Sequence, residues 1–179
     1  LPEGVDYAAA AGMGCRVTTA FRGVVDRAKI QPGEWLSVHG CGGVGLSAIM
    51  IGAALGARIV AVDVNPSALE AARALGANVT LNAVEHDDLG EALREVTGGG
   101  AHVSIDALGI TATFHNSLKS LRKMGRHVQI GMPLGAHATP ALPLLDLVYS
   151  RQITLHGTRG IGAHRFATLF EMIAAGRLD

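Results

Sequence analysis

Cysteine is scarce: the 179 residues hold two, Cys15 and Cys41, too far apart for a CxxC motif. That excludes a disulfide framework and predicts a reducing, cytoplasmic setting. Aromatic residues are few, so Ala, Val, Leu, Ile and Gly must fill the interior, a composition suited to helices packed closely on a sheet. Excess charge is missing too. The 15 Lys and Arg balance the 15 Asp and Glu, leaving no field to recruit nucleic acid or anionic lipid. Long hydrophobic runs are absent. The longest, 46–57, falls short of the roughly 18–20 residues that span a bilayer. No charged-then-apolar leader opens the sequence. The first residue is Leu1, which reads as a piece of a longer polypeptide.

What remains is a steady alternation of apolar runs and helical patterns. Helices are expected at Thr18–Lys29, Val44–Leu55, 66–75, Asp87–Val96, Thr113–Arg122, Pro143–Tyr149 and Ala163–Ala175. Strands are expected at 35–40, 58–63, 78–82, 102–106, 125–133 and 151–157. Asn65, Pro66 and Gly76 supply an N-cap, a first-turn proline and a terminating glycine for one helix. Mostly apolar strands joined by helices predict an α/β Rossmann fold. It would be a doubly wound, six-stranded parallel sheet ordered 3-2-1-4-5-6, with helices on both faces.

The stretch "VHGCGGVGLSAIM" (38–50) sets Gly40, Gly42 and Gly45 at G-x-G-x-x-G spacing, with Gly43 as an extra. Alone the spacing is weak, and an ordinary strand-to-helix turn would explain it. Its position between a strand and a helix favours a dinucleotide-binding turn. Gly40 permits the turn, Gly42 admits a diphosphate, and Gly45 lets the helix pack on the strand. Free amides and the helix dipole receive the phosphates. Asp63 closes the next strand, where a carboxylate accepts from ribose hydroxyls and repels a 2′-phosphate. No Arg or Lys follows in "DVNPSALE", so NAD is expected rather than NADP. The bland alternative for Asp63 is a surface charge or cap. "TGGGAH" (97–102) precedes a strand and reads as a flexible turn without a phosphate role.

"GCRVTTAFRGV" (14–24), "QPGEWLSVHGCGGVGLSAIM" (31–50), "ARIVAVD" (57–63), "ALEAARALGA" (68–77) and "GRHVQIGMP" (125–133) together resemble zinc-dependent alcohol dehydrogenases of the medium-chain dehydrogenase/reductase superfamily. The resemblance implies oxidation of an alcohol to an aldehyde or ketone by hydride transfer to NAD. It makes Cys15 the third protein ligand of a catalytic zinc, a Cys₂His site in this family. Thr19 and Val44 would flank the nicotinamide, and Val64 would sit beside Asp63 at the cofactor. Ala107, Leu108 and Gly109, Ile130, Gly131 and Met132, and Gly157, Thr158 and Arg159 would line the nicotinamide and its ribose.

The family's other two zinc ligands, a Cys and the His of a Gly-His-Glu motif, lie in a barrel-like (GroES-like) catalytic domain, and this sequence lacks that motif. Residues 1–30 then read as a linker helix region leading from that domain, and 31–179 as the NAD-binding domain. The piece alone is expected to bind NAD, to hold zinc weakly if at all, and to turn over no alcohol. Read without the resemblance, Cys15 would be a buried core thiol, Cys41 a small filler and His39 a strand-end packing residue. Partners implied are a small alcohol or aldehyde and a second copy, as homodimer or homotetramer through "RQITLHG" or "RHVQIGMP". "PALPLLDLVY" (140–149) would be buried there. Nucleic acid and membrane are not expected. The rivals are a zinc-free NADPH quinone or enoyl reductase, which Cys15 and Asp63 disfavour, and a non-catalytic NAD sensor.

Overall fold

The structure, a computed structural model, describes residues 7–178. Residues 1–6 of the expected linker segment, and residue 179, lie outside the described residues.

In chain order the elements are α1 (Tyr7–Met13), α2 (Arg16–Phe21), β1 (Trp35–His39), α3 (Gly43–Ala54), β2 (Arg58–Asp63), α4 (Pro66–Ala74), β3 (Val79–Asn82), α5 (Leu89–Val96), β4 (Ala101–Asp106), α6 (Thr111–Lys119), β5 (Leu121–Gln129), β6 (Thr154–Gly157) and α7 (Phe166–Ala174). The strands form one sheet in the order β3-β2-β1-β4-β5-β6, and every pairing is parallel. This is the expected Rossmann order. It follows from apolar strands that need helices on both faces.

Central strand β1 is buried along its whole length. Leu36 and Val38, with Val103, Ile105 and Val128, join the Ala48, Ile49 and Ile51 side of α3 in the main core. The opposite face is polar under α6. Ser37, Ser104 and His127 stand in register across β1, β4 and β5. Ser120 Oγ lies 3.1 Å from Ser37 Oγ, and Ser117 Oγ lies 3.0 Å from His127 Nδ1. Buried hydroxyls that find partners cost little.

Capping behaves as the sequence implies in α4: Asn65 accepts from the Ser67 amide at 3.0 Å, Pro66 opens the helix, and Gly76 follows at φ +104°. Other boundaries move. The helix expected over Thr18–Lys29 is α-helical only through Phe21, then widens into a π-helical segment, Arg22–Arg27. The 113–122 helix ends at Lys119, because Leu121 already pairs with Ala101. Charged Arg122 and Lys123 sit on an exposed strand end and imitate a helix terminus in sequence. The 143–149 segment is a π-helical segment at Leu144–Tyr149. β6 contributes four residues of the seven expected. The last helix begins at Phe166, after a 3₁₀ segment at Ala163–Arg165.

Candidate functional site

The carboxyl ends of β1, β2, β4, β5 and β6 open onto one edge of the sheet, the crevice where doubly wound folds bind ligands. At its centre β1 runs into the glycine turn. Gly40 has φ +93°, and its amide donates to Val62 O at 2.8 Å. α3 starts at Gly43 with Gly42 as N-cap. Its first intrahelical bond runs from Leu46 N to Gly42 O, 2.8 Å. The amides of Gly43, Val44 and Gly45 precede that bond and have no intrahelical acceptor.

Two glycines here have opposite reasons. A methyl group built on Gly45 would lie 1.8 Å from Gly40 O, so the helix can pack this close to the turn only without a side chain. A methyl on Gly42 would meet nothing within 4 Å. The space in front of the helix mouth is open, and Gly42 leaves it so. That is a fit for a diphosphate on backbone amides.

Asp63 ties the crevice together. Its Oδ2 accepts from Cys41 N at 2.7 Å; its Oδ1 accepts from Val64 N at 2.8 Å and Asn65 N at 2.9 Å. A carboxylate has about four acceptor sites, so one remains for a hydroxyl. Val64 is exposed beside it. The Cys41 thiol is buried, donates to Val62 O at 3.6 Å, and is pushed up to about 12 by burial and then by the Asp63 charge. It is a filler, not a nucleophile.

The β4 exit is held by a second, fully buried carboxylate. Asp106 Oδ1 accepts from the amides of Leu108 and Gly109, both at 2.9 Å, and from Thr113 Oγ1 at 3.0 Å; Oδ2 accepts from Gln129 Nε2 at 2.9 Å. This fixes the Ala107–Gly109 loop. A methyl on Gly131 would lie 2.3 Å from Gly109 N, so the ends of β4 and β5 touch backbone to backbone. Next to them a cleft of about 490 Å³ brings together Ile130, Gly131, Met132, Gly157, Thr158 and Arg159 with Arg22 and Arg27. Arg22 Nη1 donates to the carbonyls of Arg159 and Gly160 at 3.1 and 3.2 Å. Thr19 is buried on α2, and Val44 is half-buried at the α3 start.

Two features were not legible in sequence, whereas the reading of His39 as a packing residue agrees with its burial. Arg16 lies across the extra glycine: a methyl on Gly43 would be 2.4 Å from Arg16 Cδ and 2.8 Å from Nε. A long-range packing of α2 on α3 carries no local signal. Arg22 and Arg27 reach the cleft beside the ends of β5 and β6 in the same way. His39, at the foot of the turn, is wholly buried, and neither ring nitrogen has a hydrogen-bond partner among the described residues. Burial holds it down at about 4, against the pull of the Asp106 carboxylate, so the ring is neutral near pH 7 and a weak proton acceptor.

Cys15 stands at the N-cap position of α2, makes no side-chain capping bond, and is exposed, which overturns the core-thiol reading. Among the described residues no three His, Cys, Asp or Glu gather as a metal site. One thiol does not fit a zinc ion unaided. No helix of the described residues is long and apolar enough to cross a membrane.

Residues 43–175 match the family described as zinc-binding dehydrogenase. An alcohol dehydrogenase of Geobacillus stearothermophilus is 33% identical over 164 residues, covering 91% of this chain and 45% of that protein. The crystal structure of an NAD-dependent alcohol dehydrogenase is 30% identical, with TM-score 0.87 over 99% of this chain and 51% of that one. Benzyl alcohol dehydrogenase from Acinetobacter calcoaceticus gives TM-score 0.90 at 26% identity, over 99% and 49%. The chain thus spans about half the length of the relatives it matches. With the glycine turn, the sheet order and these matches together, the chain belongs to the zinc-dependent alcohol dehydrogenases of the medium-chain dehydrogenase/reductase superfamily, as their nucleotide-binding portion.

Proposed function

We propose that residues 31–179 form the NAD-binding domain, and residues 1–30 the lead-in, of an enzyme that oxidises an alcohol to an aldehyde or ketone. The observation that carries this reading is the open space before Gly42, faced by helix amides without acceptors. Backbone N–H groups of Gly43, Val44 and Gly45 would hold the diphosphate, aided by the positive end of α3. Arg16, lying over Gly43, would add a charge-assisted contact. A guanidinium at a helix N-terminus is repelled by the dipole, and an anion between them removes that cost.

Asp63 would accept a ribose hydroxyl with its remaining acceptor site while holding the turn through Cys41. A 2′-phosphate would meet that carboxylate, hence NAD over NADP; the NAD-dependent relative agrees with this preference. The nicotinamide end would lie toward Thr19, Val44 and the 490 Å³ cleft, with Asp106 fixing the loop that positions its ribose. When bound, NAD supplies the hydride acceptor. Cys15 would contribute one thiolate to a zinc whose other ligands come from beyond this sequence.

A second copy would pair along β6, an edge strand of the sheet. Leu144, Leu145 and Tyr149 nearby are 60–76% exposed, which favours cover by a partner. Calorimetric titration of the protein with NAD and NADP, repeated on Asp63→Gly, tests the cofactor reading. Tighter NAD binding that the substitution erases supports it; equal binding of both by the unaltered protein refutes it.

A further inference from the structure

At the opposite end of the sheet from the glycine turn, a cavity of about 370 Å³ is lined by Arg94, Gly98, Gly99, Arg122, Lys123 and Arg151. No carboxylate lines it. Four cations converge there in a chain of zero net charge.

The convergence is built by the backbone. Arg94 Nη1 donates to Leu121 O at 3.2 Å, and Arg151 Nη1 donates to the same oxygen at 3.3 Å and to Lys119 O at 3.0 Å. Two guanidinium groups thus share one carbonyl and lie within two hydrogen-bond lengths of each other. The bond to Lys119 O caps the end of α6, the others hold the first residue of β5, and together they use one nitrogen of each group. The other donors of each planar fork stay available. The nearest acid, Glu91, stands 3.6 Å from Arg94 Nε and is itself exposed; it does not touch the other three cations. Burial, and then the Arg94 charge, lower the Arg151 pKa, against a smaller opposing pull from Glu91.

The opposite wall is the glycine turn of "TGGG". Far from flexible, it is pinned: the Gly100 amide donates to Thr97 Oγ1 at 3.1 Å, and Thr97 Oγ1 donates to Leu93 O at 2.6 Å. A methyl on Gly100 would lie 2.5 Å from Arg122 N, so the turn sits on the start of β5. Methyl groups on Gly98 or Gly99 would meet nothing within 4 Å. Their bare backbone leaves the cavity open.

We propose that this cavity is an oxyanion site, separate from the cofactor crevice, that takes a doubly charged phosphate group, either free or as a monoester. Like charges held together by backbone carbonyls, with Glu91 only at their edge, are stabilised by an anion that accepts several charge-assisted hydrogen bonds at once.

The test is calorimetric titration of the purified protein with inorganic phosphate, and separately with glycerol 1-phosphate, against sodium chloride at matched ionic strength. Saturable phosphate binding absent from the chloride control is expected. Lys123→Gln, which removes a charge without removing a cap, should weaken it about tenfold, and Arg151→Gln by at least as much. Gly42→Val, at the other end of the sheet, should leave it unchanged. Tighter binding of the monoester identifies a phosphorylated metabolite as the ligand; equal or weaker binding identifies free phosphate. If chloride reproduces the heats, or if Gly42→Val abolishes them while Lys123→Gln and Arg151→Gln do not, the site does not exist. Neither result bears on NAD binding.

Discussion

One oxygen of the Asp63 carboxylate accepts a 2.7 Å hydrogen bond from the Cys41 amide, joining the end of β2 to the glycine turn after β1. The residue that would read the ribose therefore also shapes the glycine turn. Asp63→Asn keeps one acceptor oxygen but turns an NH₂ group toward amides that need an acceptor. Losing a charged acceptor costs about 1.5–3 kcal/mol. The substitution should lower both urea stability and NAD affinity, together, by roughly that amount. Weakened NAD binding with unchanged stability would mean that the Cys41 bond contributes nothing.

Gly45 should tolerate nothing larger. In an ordinary helix interior, Gly→Ala stabilises by about 1 kcal/mol. Here the added methyl would stand 1.8 Å from Gly40 O, a backbone atom that cannot swing aside. The clash should win, so Gly45→Ala should destabilise by ~2–3 kcal/mol, read as a lower urea midpoint at constant m. A gain in stability would show that α3 can slide away from the turn.

Arg16 is exposed on α2 and lies over Gly43. Arg16→Gln should leave the melting temperature in place, weaken NAD by about tenfold, and flatten the salt dependence of binding. An unchanged salt dependence would remove the guanidinium from the diphosphate.

Sheet order, the α4 caps and the glycine turn were legible because each has a local cause: an apolar run, an Asn-Pro pair with a following glycine, a strand flowing into glycines. Arg16 over Gly43 was not, since it depends on how two helices pack. The start of β5 was misread because Leu121 pairs with Ala101 while Arg122 and Lys123 look like a helix end. The polar sheet face of Ser37, Ser104 and His127 was hidden by the expectation that buried strands are apolar. It becomes affordable only once α6 delivers Ser117 and Ser120 to the same layer.

His39 and His127 should make the protein acid-sensitive. Both rings are held at about 4, chiefly by burial, below the unfolded value of about 6.5. Asp106 opposes this for both, Gln129 opposes it for His127, and the partly exposed His156 adds to it there. A lowered folded pKa means that the unfolded chain binds the protons first. The full stability is present above pH 6.5, is lost as pH falls toward 4, and changes little below that on their account. Urea unfolding at pH 7, 5.5 and 4.5 should show a slope approaching two protons, which His127→Asn reduces toward one. A flat profile over that range would mean that the folded rings take up protons as readily as the unfolded chain does.

A diphosphate would occupy the open corner before Gly42, and the most direct measurement there is NAD titration of the protein beside Gly42→Ala, with thermal unfolding of both. At φ −78° and with nothing within 4 Å of the new methyl, alanine should change stability by no more than about 1 kcal/mol. It should nonetheless cut NAD affinity by at least about tenfold. NAD bound equally well by both proteins, or by neither, would contradict the placement of a diphosphate at the mouth of α3.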